Sequence, residues 1–282
     1  MPCLYVFLSF NIRKAIYFIM LIFFTSFNLV KSIYLENLLM RSANPALNNK
    51  TFDGFDNSAD KMTLNGAVNK TAILLALVLI SAMWVWGQSF ETADLGIVII
   101  SMWIGCFGGF IFALFTIFFQ KYAPYTAPIY ALLEGLSIGG ISVYYEIIFP
   151  GIVIQAVSLT FGTLFCLLAV YKSGLIKATE NFKLGVVAAT GAICLIYIVD
   201  LVLRFFGMSI GLIHESGLFG ILFSLFVVTI AALNLVLDFD FIESGVESGS
   251  PKYMEWYSAF GLILTLVWLY LEILHLLAKL RR

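Results

Sequence analysis

The chain has 282 residues, of which 61% are hydrophobic and 12% charged, with a mean hydropathy of +0.99 and a formal net charge of −1. Soluble domains carry roughly 25% charged residues, so this chain lacks the polar side chains to cover itself and takes a bilayer as its main solvent. Without a basic surplus it is no nucleic-acid binder. Cys106, Cys166 and Cys194 lie inside apolar runs, where a thiol behaves as a small hydrophobe. No CxxC or Cys/His spacing points to zinc, a redox couple or any resident cofactor.

At the start, "AIYFIMLIFFTSFNLV" (15–30) follows Arg13 and Lys14 and resembles a signal peptide, yet no small-residue cleavage site follows it. Residues 1–39 are therefore either a genuine extension or lie upstream of a start at Met40. Residues 40–70 are polar and Asn-rich and read as a flexible cytoplasmic arm. Asn49-Lys50-Thr51 and Asn69-Lys70-Thr71 match the glycosylation sequon, which on the cytoplasmic side is a chance match.

Residues 71–282 form the membrane domain. A spanning helix needs about 20 mostly apolar residues to cross about 30 Å of hydrocarbon. Stretches of that kind lie at 72–86, 95–119, 127–145, 151–171, 184–207, 217–237 and 257–277. Alternating strand patterns are absent, which disfavours an outer-membrane barrel. The expected fold is an all-α integral membrane protein with seven transmembrane helices.

Basic residues in short loops orient such a bundle. Lys50, Lys61 and Lys70 precede the first span, Lys121 follows the second, and Lys172, Lys177 and Lys183 follow the fourth. Glu91, Asp94 and Glu146 lie on the other side. This pattern predicts a multi-pass cell-membrane protein with a cytoplasmic N-terminal arm. Lys279, Arg281 and Arg282 follow the seventh span and fit this pattern badly. Either that segment is a re-entrant hairpin or it is a true span whose orientation earlier segments set; the second reading is preferred.

Ionisable groups inside spans are costly, and so are candidates for function. Asp200 lies four residues before Arg204, a spacing that places both on one helix face and predicts a structural ion pair. Glu134 neighbours Gly135 and Gly139, a spacing that lets helices approach closely; it is either a buried hydrogen-bonding group or a pore-lining one. Asp238 and Asp240 end the sixth span in "LVLDFDFIESG". Glu272 and His275 lie inside "WLYLEILHLL" (268–277). Gly135-Leu136-Ser137-Ile138-Gly139 matches the hydrolase GxSxG spacing, but that motif needs a strand-to-helix turn, and here it falls in a helix. With no P-loop, dinucleotide fingerprint or HExxH, and with His214 in a loop as the other histidine, the chain is not expected to be an enzyme.

"LYLEILHLL" at the C-terminus resembles the last-helix motif of the Bax inhibitor/YccA-like family, "LYLDILNLF" in typical members. "LVLDFDF" resembles the end of that family's sixth helix. "MRSANPALNNKTF", "MTLNGAVNKTAILL", "ALLEGLSIGGIS", "FPGIVIQAVSLTFG" and "LNLVLDFDFIESGVESGSPKYMEWYSAFGL" are similar to a bacterial branch of it, and the resemblance covers nearly everything from Met40 to Arg282.

The resemblance implies seven helices with a hydrophobic last helix wrapped by the other six. It also implies a pH-sensitive calcium leak, in which a sixth-helix and a seventh-helix carboxylate share a proton and latch the pore. Carried over by position, Asp238 and Glu272 are the latch, and they would hold calcium transiently as it permeates. Asn234, at i−4 from Asp238, with Asp240, His275 and Glu134, would tune it. Three departures bear on the latch: Glu272 stands where Asp is usual, His275 replaces Asn, and the linker between the last two helices is longer. A second function implied by the family is a non-conducting partner that regulates a membrane protease or another membrane protein.

Overall fold

The computed structural model describes residues 61–282 except 93–94, 207, 209 and 212–215. Residues 1–60 lie outside it, as do Asp94, His214 and the side chains of Glu91 and Arg204, so the expectations for the N-terminal extension, most of the arm and the Asp200–Arg204 pair fall outside the described residues.

Seven helices follow in chain order: α1 (Leu64–Thr92), α2 (Leu95–Phe118), α3 (Ala123–Ile148), α4 (Ile152–Lys172), α5 (Glu180–Phe205), α6 (Leu218–Glu247) and α7 (Met254–Leu280). All seven are long and apolar enough to cross a membrane, and no strand occurs among the described residues. α1, α3 and α7 extend past their apolar stretches at both ends, because the helix continues into the residues on either side, and α6 runs ten residues beyond its stretch. The expected arm also ends sooner than residue 70. Thr63 caps α1, its Oγ1 accepting the Gly66 N–H at 3.0 Å, and Lys61 pairs with Pro251 in an isolated bridge.

The connections show why the helices stop where they do. Pro150 cannot continue α3, and Gly151, at φ 78°, takes the left-handed turn that starts α4. Gly249, at φ 66°, performs the same reversal between α6 and α7. Beside it the Met62 N–H donates to the Ser250 carbonyl at 2.8 Å, tying the start of the described chain to the last hairpin.

α3 is held between α1 and α2 by close backbone approach. A Cβ at Gly135 would overlap the Ser81 hydroxyl and the Val78 carbonyl of α1. One at Gly139 would lie 2.9 Å from the Ala82 carbonyl oxygen, and one at Gly140 would lie 2.8 Å from Met102 Cβ on α2. The GxSxG serine, Ser137, is fully buried in the middle of this layer, so its hydroxyl faces packing rather than substrate.

α7 is the core of the molecule. It is one uninterrupted helix of 27 residues, which excludes a re-entrant hairpin, and it is buried along most of its length. Trp268, Phe260, Leu269 and Leu274 are all enclosed. The last helix is thus central as expected, though its extensive packing is with four helices, α1, α3, α4 and α6. α2 lies in a layer beyond α3.

Candidate functional site

α7 presents different chemistry on different faces. Ile263, Leu266, Val267 and Tyr270, at helical spacing, face α1, α3 and α4. Trp268, Glu272 and Lys279 face α5 and α6.

Glu272 is 1% exposed, at the centre of the second face. Its Oε1 accepts a hydrogen bond from Trp268 Nε1, one turn back on the same helix, and another from the Tyr197 hydroxyl on α5, each at 3.0 Å. Both donors are neutral, and no cation lies within 4 Å of the carboxylate among the described residues. Lys279 lies two turns further along α7, roughly 10 Å up the axis. Its ammonium donates to the Gly220 carbonyl at 2.9 Å and to Ser224 Oγ at 2.7 Å, on α6.

Those two lysine bonds set the register of the α6–α7 hairpin. Since the helices are antiparallel, residue 279 beside 220–224 puts Glu272 level with about Val227–Ala231. Asp238 therefore lies two to three turns away, on the order of 10–16 Å along the axis. The structure does not bring Asp238 and Glu272 together as the resemblance implies, and the reason is register: carboxylates on a helical hairpin meet only if they lie equally far from its turn. Asp238 is half-buried nearer the Gly249 turn.

The residues expected to tune the latch are also dispersed. Asn234 is fully buried and ties α6 to α5, donating to Thr190 Oγ1 at 2.9 Å and to the Ile230 carbonyl at 2.8 Å. Asp240 pairs with Lys183 of α5 at 2.8 Å. His275 is half-buried and packs its ring edge-on against Tyr145 of α3, with centroids 6.2 Å apart, whereas Glu272 turns to α5. Glu134, 4% exposed, lies close to Tyr130, one turn earlier on α3, and abuts Gly109 of α2. Its enclosure in the contact of α3 with α2 is what the buried reading expects. Asp200 is buried, and its Oδ1 accepts the Ile210 N–H at 2.8 Å.

The three cysteines among the described residues are free thiols, and no three metal-ligating side chains converge among those residues.

Four groups escaped the sequence reading. Trp268 was detectable, since it lies four residues before Glu272 on the same helix face. Tyr197 and the Ser142–Tyr270 hydroxyl pair (2.7 Å) depend on tertiary contacts and leave no local signal. Glu255 is the fourth. It is 1% exposed and accepts both the Thr63 N–H (3.0 Å) and Thr63 Oγ1 (2.9 Å), with Lys70 Nζ at 3.9 Å. As an acidic residue in the first turn of a helix, it reads from sequence as an ordinary dipole-complementing group.

A bundle of seven apolar helices with the last at its core, carrying a buried carboxylate, defines a multi-pass membrane protein. The family description Bax inhibitor 1 like matches residues 44–282, and the chain belongs to that family. No curated protein and no solved structure matches it.

Proposed function

We propose that the chain is a passive, proton-gated leak for cations, calcium among them, with Glu272 as the gate. The observation that carries this reading is the enclosed Glu272 carboxyl on the central helix, held by two neutral donors. A protonated carboxyl suits that site, because it is uncharged and keeps the hydrogen bonds that close α7 against α5. Once ionised it becomes a buried charge with no cation in contact, its attraction to Lys279 acting only at a distance, which is costly unless water or a cation enters. Carboxylate oxygen is a hard donor suited to calcium. Proton loss therefore favours an opened, hydrated path beside α7.

Asp238 enters this proposal as a separate carboxylate near the α6–α7 turn that concentrates cations at one end of the path, in place of a partner in a shared-proton latch. The test is calcium flux into proteoliposomes of the purified protein, measured across pH. Flux that rises as protons are removed, in protein without partners, supports the leak. Absence of flux at every pH would overturn it and favour the non-conducting regulator of a membrane protease or other membrane protein.

A further inference from the structure

A lateral crevice of about 480 Å³ opens between α1 and α4, two helices that are not packed against each other, and it reaches α7. Its walls are apolar, among them Leu79 and Met83 of α1 and Val153 and Val157 of α4, and its floor is the Ile263–Tyr270 face of α7. The rim residues Met83 and Ile154 are 63% and 67% exposed, so the mouth is continuous with the lipid-facing surface of the bundle.

We propose that this crevice is a binding site for one acyl chain of a membrane phospholipid. Its dimensions and polarity both fit such a chain. The α1 wall runs from Leu75 to Trp86, roughly 16 Å at 1.5 Å per residue and about half of a 30 Å hydrocarbon core, the depth of a single leaflet. The crevice's one charged lining residue is at one end, and the hydroxyls elsewhere on its wall are bonded within the bundle. Glu146 lies there, its carboxylate accepting the Gly151 N–H at 2.6 Å and the Val153 N–H at 3.2 Å. Arg281 binds the Phe149 and Pro150 carbonyls beside it, at 3.3 and 2.8 Å, and Gln155 Oε1 at 2.8 Å. Trp86 lies at the same end, where an amphipathic ring suits the headgroup level. The guanidinium retains donors for a lipid phosphate, and the chain below it meets hydrocarbon side chains down to α7. A chain in this position fills space beside Tyr270, whose hydroxyl already shares a hydrogen bond with Ser142 on the crevice wall.

The test uses the full chain in liposomes doped with a phospholipid that carries a photoactivatable diazirine on its acyl chain, with adducts mapped by mass spectrometry. Adducts on Met83, Val153 and Val157 that outlast those on the outward-facing Phe165 and Leu168 as unlabelled lipid is added support a retained chain. Val157→Trp, which fills the crevice, is expected to abolish the crevice adducts and leave those on Phe165 and Leu168. Labelling of both groups that declines in parallel on dilution overturns the site and leaves only exchanging boundary lipid. That comparison needs only the unmodified protein, so it decides the matter even if Val157→Trp fails to fold.

Discussion

At the residue scale, the fate of Glu272 depends on two hydrogen atoms, one from indole and one from phenol. Tyr197→Phe and Trp268→Phe each delete one donor while keeping the ring, and each is expected to cost about 0.5–1.5 kcal/mol, read as a lower thermal midpoint in detergent. The double variant should lose more than the sum if both act on one carboxyl. Glu272→Gln keeps the size and neutrality of the closed state and cannot ionise, so calcium flux should lose its pH dependence. Asp238→Asn should lower the amplitude of flux and leave its pH profile in place; loss of pH dependence in both variants would restore a direct latch. Glu134→Gln should keep a hydrogen-bonding group beside Tyr130, whereas Glu134→Leu removes it, at a cost on the order of 1 kcal/mol in unfolding assays. Glu134 and Glu272 were legible from sequence because a carboxylate stands out in an apolar run. Tyr197 was not, since a tyrosine inside a membrane helix is unremarkable until a second helix places it.

At the element scale, α3 is placed by what it lacks. The Gly139 Cα faces the backbone of α1, so Gly139→Ala would push the Ala82 carbonyl and the Val85 side chain, which cannot simply rotate aside. A loss of about 1–3 kcal/mol is expected. Gly162 in α4 is as glycine-like to the eye, yet a Cβ there meets nothing within 4 Å. Gly162→Ala should be neutral or stabilising by up to about 1 kcal/mol. Thermal unfolding of the two variants side by side checks the contrast, and equal effects would mean that α1 and α3 are not in close contact. The seven helices themselves were readable, since length and apolarity alone mark a span. Their registers were not. A match of Asp238 and Glu272 to two positions on the last two helices says nothing of depth, which depends on the turn around Gly249 and on where Lys279 finds its acceptors.

At the scale of the whole molecule, the basic C-terminus that fits the charge rule poorly has a structural explanation. Lys279 is buried against Gly220 and Ser224, and Arg281 is bound to the α3–α4 turn and Gln155. Two of the three late charges thus serve contacts within the bundle. With seven crossings, residue 61 and Arg282 belong on opposite sides of the membrane. Topology reporters placed ahead of Lys61 and after Arg282 are expected to give opposite signals, and identical signals would mean that one helix does not cross. Orientation relative to the cell was inferred from lysines, many of them in short loops, and it is the part of the architecture that packing leaves open.

The Thr63–Glu255 clasp and the Met62–Ser250 bond have a consequence for biogenesis. The helix that fills the centre is made after the other six described helices, which wait in the bilayer around an unfilled groove until it arrives. Insertion of α7 then brings a glutamate and a lysine into that groove, where Tyr197, Ser224 and the Gly220 carbonyl already wait for them. Docking of Glu255 on the cap of the first helix closes the ring of contacts at the end where synthesis of the described chain began. On this order of synthesis the core of the bundle is completed only when α7 is in place, and truncation before Met254 is expected to leave α1, α3, α4 and α6 without their common packing partner.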